Sequence, residues 1–390
     1  MGYFDTKEAK NRLAKFQESF EKSFGDDTLK RGKPQSYSVI PTGSINLDLA
    51  LGVGGYIEGR IVEIWGQDDA GKTTLAFLGI AEAQRKYPKK LVAYIDVENK
   101  VDESWAEALG VNLGQWFVYT PKNAEDVADS LKKFVEDPLF SMVVVDSVGA
   151  MMGRVEQEKQ AEDAVVAVTA RIVTRMVKHA TFFAPINGAV VLILNQVRDV
   201  IDSYGAKTTT PGGRALKHAS TMKIKLSGAA KQAVMATVKG ERIPIGKEVA
   251  AKVERNKVAP AGPVGMFFLK NVPTEKHGGV GIDKAIEAAT VGVKLGIIPR
   301  HGNSYVEPTS GEKFVGLDKL VTALQEDPAR VEAIRDLLVR LRAPAEIDEE
   351  PLTSEPEEAE ETEVSEAPEP EQEVTEILGA ENTDVYLEME

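Results

Sequence analysis

Ile61-Val62-Glu63-Ile64-Trp65-Gly66-Gln67-Asp68-Asp69-Ala70-Gly71-Lys72-Thr73-Thr74-Leu75 is the stretch on which the fold turns. A short apolar run ends at Trp65, a glycine-bounded loop follows, and Thr74-Leu75 open a segment of helical spacing (TLAFLGIAEAQRK). Strand, glycine loop and helix in that order are the setting in which Gly-x4-Gly-Lys-Thr is a phosphate-binding loop. Gly66 and Gly71 let the backbone turn tightly enough to aim N–H groups at phosphate oxygens. The helix N-terminus adds partial positive charge. Lys72 can reach the β- and γ-phosphates, and the Thr73 hydroxyl can ligate Mg²⁺. The candidate nucleotide contacts are therefore Gly66, Gln67, Asp68, Asp69, Ala70, Gly71, Lys72, Thr73 and Thr74.

Outward from the loop, apolar runs at Leu91–Ile95, Met142–Val145, Val190–Leu194 and Met222–Leu226 alternate mostly with helical segments. Continuous apolar strands of this kind predict an α/β core with a mostly parallel sheet covered on both faces. Ligands then sit at the carboxyl ends of the strands. Residues 1–37 read as an N-terminal helix and linker. An Asp5-x-x-Glu8 capping box leads into Ala9, Leu13, Phe16, Phe20 and Phe24 at steps of four and three, closed by Gly25. That stripe packs either on its own domain or on a neighbouring subunit. Residues 38–273 form the core and 274–343 a small α+β unit with helices at Ile282–Leu295, Leu317–Gln325 and Ala329–Leu341 and a hairpin at Ser304–Val315. Residues 344–390 form an acidic tail whose composition predicts disorder.

The formal charge of −14 belongs to that tail. Residues 346–390 carry 19 Asp/Glu and no Lys/Arg, which leaves 42 acidic against 47 basic residues in the rest. A mildly basic body is compatible with nucleic-acid binding, and the tail can compete with phosphates for it. The absence of cysteine excludes disulfides and thiolate metal sites and suits a reducing cytoplasm. No run approaches the ~18 apolar residues of a membrane span, so the expected localisation is cytoplasmic, with no membrane partner.

Three strand ends carry candidate chemistry. Met142–Val145 runs into Asp146-Ser147, where Asp146 would hold Mg²⁺ through water. Leu91–Ile95 runs into Asp96-Val97-Glu98, and either acid could orient and deprotonate the attacking water or cap the loop instead. Val190–Leu194 runs into Asn195-Gln196-Val197-Arg198, where a glutamine could report the γ-phosphate to the polar loop Asp199–Pro211. No periodicity supports fixed structure in that loop, so it reads as mobile. In the helix Val165–Ala180, Arg171, Thr174 and Lys178 share one face, which is either a solvated stripe or a DNA contact.

Together these residues resemble the bacterial RecA recombinases. The likeness runs through Pro41-Thr42-Gly43-Ser44, Leu47-Asp48, Gly59–Ile64, the phosphate loop and Tyr94–Glu98. It continues in Val144–Val148, Asn195–Arg198, Thr208–Lys217 and Asn256-Lys257. The resemblance implies a helical filament on single-stranded DNA that pairs with a homologous duplex and hydrolyses ATP with Mg²⁺. It implies Glu98, rather than Asp96, as the catalytic carboxylate, and Gln196 as the γ-phosphate sensor. Asp102 and Trp105 match the adenine contacts. Arg255 and Lys257 match two cations that reach the ATP of the adjoining subunit. Ser147 follows the metal-binding acid, Asp146, beside the nucleotide. Arg171, Thr174, Lys178, Arg198, Gly212, Gly213 and Arg214 match DNA-phosphate contacts, with loops Glu156–Val165 and Asp199–Pro211 as the DNA-binding loops. The N-terminal helix resembles the family's polymerisation helix. Departures include the extra acid Asp69, Arg255 for a lysine, Arg214 for a polar amide and Tyr204 for a phenylalanine, so the chain resembles a divergent member. A ring-forming helicase motor and an ATP-switched DNA-binding mediator are the alternative readings.

Overall fold

The computed structural model describes residues 6–25, 36–151, 162–202, 205–209, 213–238, 241–274 and 279–342. The chain falls into two units, Met1–Tyr37 and Ser38–Glu390. In the first, helix α1 (Lys7–Phe24) begins where the Lys10 N–H meets the Thr6 carbonyl. Asp5, the expected cap, lies outside the described residues. Phe16 and Phe20 stack at 5.8 Å between ring centroids, and Phe16 is 56% exposed.

The second unit is built on an eight-stranded sheet. A short hairpin, β1 (Val39–Ile40) with β2 (Tyr56–Ile57), brackets α2 (Ile45–Ala50). Then come β3 (Ile61–Gly66), α3 (Lys72–Lys86), β4 (Leu91–Asp96), α4 (Glu103–Ala108), β5 (Trp116–Tyr119), α5 (Ala124–Glu136) and β6 (Phe140–Asp146). Next are α6 (Glu162–Asn187), β7 (Val190–Gln196), a separate pair β8 (Arg198–Asp202) and β9 (Gly205–Thr209), and α7 (Gly213–Ala219). The long strands β10 (Met222–Val238) and β11 (Glu241–Asn256) and then β12 (Val264–Lys270) complete the core. The sheet order is β12-β11-β10-β3-β7-β6-β4-β5, parallel from β10 to β5 and antiparallel at the β10–β11–β12 edge.

The central strands are apolar throughout because both faces are covered. On one face α3 brings Phe77 against Tyr94 and Trp116 in tilted and edge-on ring contacts. On the other, Val127 and Leu131 of α5 and Ile172, Val173 and Met176 of α6 close over Ala93, Ile95, Val143 and Val145. Leu216 of α7 joins the same core, which seats that helix on α6. The strand ends Gly66, Asp96, Asp146 and Gln196 therefore meet along one edge.

Two expectations need correction. The described part of 199–211 is not without structure: β8 and β9 pair from Arg198↔Thr209 to Asp202↔Gly205. Val200, Ile201, Thr208 and Thr209 are β-branched, which favours a paired ribbon even in a polar segment. The expected first DNA loop, Glu156–Val165, is helical from Glu162 onward; its earlier part lies outside the described residues.

Beyond the core come α8 (Lys284–Lys294), a three-stranded sheet of β13 (Arg300–His301), β14 (Ser304–Val306) and β15 (Lys313–Val315), α9 (Leu317–Glu326) and α10 (Pro328–Arg342). Their apolar cluster includes Ile45 and Leu49 of α2, so these helices share a core with the elements of the eight-stranded half. Two buried carboxylates fasten the contact. Glu287 accepts from the Ser44 hydroxyl at 2.9 Å, the Ile45 N–H at 2.6 Å and the Asn46 amide at 3.2 Å. Asp48 takes the Arg335 guanidinium at 2.7 Å.

Burial pushes the Glu287 carboxyl up to about 7, with Asp48 adding repulsion. Burial likewise raises Asp48 to about 6 against the pull of Arg335. Folded values above the ordinary carboxylate range mean that the folded chain holds protons the unfolded chain has released. The stability they contribute is complete below that range and is lost as pH rises through about 6 to 7. Urea midpoints should therefore fall between pH 6 and pH 8, and fall less in Glu287→Gln, which keeps an acceptor oxygen but does not titrate. An equal fall in both proteins would remove Glu287 as a cause.

Candidate nucleotide and DNA site

The phosphate loop is a turn that its neighbours dictate. Gly71 takes φ 94°, and a Cβ there would lie 2.5 Å from Leu269 Cδ1. A Cβ on Gly66 would run into the Leu226 carbonyl of β10. Ala70 is buried beneath the loop, while Gln67, Asp68 and Asp69 are exposed. The Lys72 ammonium curls back to the carbonyls of Gly66 at 3.0 Å and Gln67 at 2.7 Å. Burial lowers its pKa, and the nearby acids Asp68, Asp146, Glu98 and Asp69 counter that.

A cavity of about 310 Å³ opens on the loop. Asp69, Gly71, Lys72, Thr73 and Thr74 line its base, and Trp105 lines one side. An indole bordering a cavity offers a flat apolar face on which a planar ligand can stack. Asp102 caps α4, accepting the Trp105 N–H at 3.0 Å, so one of its oxygens is committed to placing Trp105.

At the adjoining strand ends the acids sort themselves. The Thr73 hydroxyl donates to Asp146 Oδ2 at 2.9 Å, and the Tyr94 hydroxyl to the same oxygen at 2.6 Å. Burial pushes the Asp146 carboxyl up; Glu98 and Asp96 add repulsion, and the two hydroxyls oppose it. An acid in that position next to a loop threonine suits a divalent cation, whose charge would relieve the crowding. Asp96 accepts the N–H groups of Lys100 at 3.0 Å and Val101 at 3.1 Å, so it caps its own loop. Glu98 Oε1 accepts the Ser147 hydroxyl at 2.7 Å and the Gln196 amide at 2.8 Å. Gln196 in turn pairs in register with Gly66, the first residue of the phosphate loop.

The family model of the RecA N-terminal domain matches residues 11–267. Protein RecA of Thermus thermophilus is 34% identical over 323 residues, covering 81% of this chain and 90% of that protein. Protein RecA of Thermotoga neapolitana is 34% identical over 344 residues, 85% of this chain and 92% of that one. The chain belongs to the RecA family. It is a RecA-type recombinase and an ATP hydrolase. A crystal structure of the RadB recombinase overlaps 60% of this chain and 96% of its own at 27% identity with a TM-score of 0.44, too loose a likeness to carry weight.

The remaining residues singled out by likeness to the RecA family are dispersed over the core. Arg255 and Lys257, near the end of β11, do not meet the phosphate loop of their own chain. The Arg255 guanidinium donates to the Lys217 carbonyl and the Lys257 ammonium to the His218 carbonyl at 2.5 Å. Both cations thus sit on the C-terminal carbonyls of α7, where the helix dipole favours positive charge. Arg171 and Lys178 are exposed on α6, whereas the Thr174 hydroxyl donates to the Ala170 carbonyl at 2.6 Å. Arg214 is exposed on α7, which opens at Gly213, and Arg198 opens β8. Gly212 and Tyr204 lie outside the described residues. No described helix is long and apolar enough to cross a membrane.

Sequence reading missed Tyr94, which holds Asp146, and the cavity wall made by Gly246, Lys247, Leu269, Lys270 and Asn271. A hydroxyl inside the apolar run Leu91–Ile95 was the available signal for Tyr94.

Proposed function

We propose that this RecA-family protein polymerises on single-stranded DNA, with ATP and Mg²⁺ held between subunits, and pairs that strand with a homologous duplex. The bond set on Glu98 carries the reading. Its carboxylate is free of loop-capping duty and shares Ser147 and Gln196 beside the phosphate loop, the position for a base that orients and deprotonates water. Lys72 and the loop N–H groups bind the β- and γ-phosphates. Thr73 and Asp146 hold Mg²⁺, which supplies charge neutralisation at those phosphates when bound. Trp105 stacks on adenine, with Asp102 beside it.

Gln196 joins the γ-phosphate to the β8–β9 ribbon, since Arg198 follows it by two residues. Arg255 and Lys257 face the nucleotide of the next subunit, so turnover requires assembly. Arg171, Thr174, Lys178, Arg198, Gly212, Gly213 and Arg214 hold the DNA backbone, which makes binding sequence-tolerant and strongly salt-dependent. The apolar stripe of α1 docks on a neighbour. Electron microscopy with single-stranded DNA and a slowly hydrolysed ATP analogue should show open helical filaments. Closed rings alone would return the protein to the helicase reading.

A further inference from the structure

Part of the cavity wall is formed by Gly246 and Lys247 within β11 and by Leu269, Lys270 and Asn271 at the end of β12, and it carries two lysines, Lys247 and Lys270. They are differently engaged. Lys270 is buried and pairs with Asp283 at 3.5 Å. Lys247 reaches the phosphate loop, where its ammonium donates to the Asp69 carbonyl. Asp69 is held at φ 59°, a left-handed conformation unusual for a residue with a side chain. With Asp68 it puts two carboxylates on a loop whose own cation is Lys72 alone. Two such anions repel an incoming polyphosphate.

The wall is also firmly placed. Lys247 pairs in register with Leu269, and the Leu269 side chain fills the space over Gly71. A lysine projecting from paired strands onto the loop is already oriented before any ligand arrives.

We propose that Lys247 is a second nucleotide-positioning cation, supplied in cis. It holds the left-handed turn at Asp69 and offsets the two loop carboxylates, so that the cavity accepts the polyphosphate of a nucleoside di- or triphosphate. This deepens the reading of the loop given above and rests on it. Because Lys247 grips the loop interior, its effect is shared by ATP and ADP and falls on binding rather than on turnover.

The test is titration of fluorescent ATP and ADP, with Mg²⁺ and without DNA, into the full chain. Lys247→Met should raise both dissociation constants about tenfold, the scale of one charge-assisted contact. Lys247→Arg should stay within about threefold of the parent. In DNA-stimulated turnover the KM for ATP should rise in parallel, while kcat changes less than about twofold. In an Asp69→Asn background the loss caused by Lys247→Met should shrink to about threefold, because the charge it offsets has gone. Parent-like affinities in Lys247→Met overturn the proposal, and an undiminished loss in the Asp69→Asn background overturns the charge-offsetting role. Parent-like binding in Lys72→Ala would instead overturn the reading of the loop itself.

Discussion

Glu98→Gln protein should bind ATP and assemble on single-stranded DNA, yet release phosphate at least about a hundredfold more slowly, the usual scale of general-base catalysis. The substitution is conservative in geometry. Glu98 Oε1 accepts from Ser147 and Gln196, and a glutamine oxygen can accept the same two bonds. What disappears is the charge, and with it the capacity to take a proton from the attacking water. The ion pair of Glu98 Oε2 with the exposed Lys100 ammonium, 3.4 Å away, goes too but is solvent-screened and contributes little. Steady-state phosphate release with single-stranded DNA measures the rate, and electron microscopy of the same sample tests assembly. Normal turnover would reopen the choice of base. Asp96→Ala is the informative companion, because Asp96 Oδ2 receives the N–H groups of both Lys100 and Val101, bonds that an asparagine oxygen would still accept. Its loss should disturb the loop that carries Glu98, and so lower stability as well as rate.

Lys72→Ala should weaken nucleotide binding by roughly a hundredfold or more, since two or three charge-assisted bonds to phosphate vanish together. The protein's own bonding adds a second cost. Lys72 is 9% exposed and bonds the carbonyls of Gly66 and Gln67, so its removal leaves part of the loop turn without its donor. Titration with fluorescent ATP reads the binding loss, and ATP-dependent DNA retention reads its consequence. Wild-type turnover in this variant would refute the site. Thermal melting separates the two contributions, because loss of phosphate contact alone leaves the nucleotide-free protein as stable as the parent.

The sheet centre was legible because its strands are buried on both faces, so each announces itself as an unbroken apolar run. The antiparallel edge was not. In β11, Val249, Ala251 and Val253 are buried while Lys252 and Glu254 are exposed. That alternation makes sense only against the partner strands β10 and β12, which are neighbours in sequence. Polar residues on the open face of this meander break the apolar run that marks a strand buried on both faces. The edge strand β5 was missed for a related reason: its Phe117 and Val118 are exposed and the run is short. The β8–β9 ribbon combines polar composition with β-branched residues, and its pairing decides between them.

The phosphate loop was readable from sequence alone because its demands are local. Gly66, Gly71, Lys72 and Thr73 act within one turn of backbone, and the strand before and helix after are set by spacing. The role of neighbouring carboxylates was not local. Asp96 and Glu98 are two residues apart in the same strand-end loop. Their side chains part because the N–H groups of Val97 and Glu98 bond the Asp146 carbonyl on the adjacent strand, at 2.7 and 3.3 Å. The resemblance favoured Glu98, but only tertiary pairing supplies a physical reason for it. Lys247 shows the same limit more sharply. It lies far from Asp69 in sequence, and only the β11–β12 edge folding back over the loop brings its ammonium to the Asp69 carbonyl.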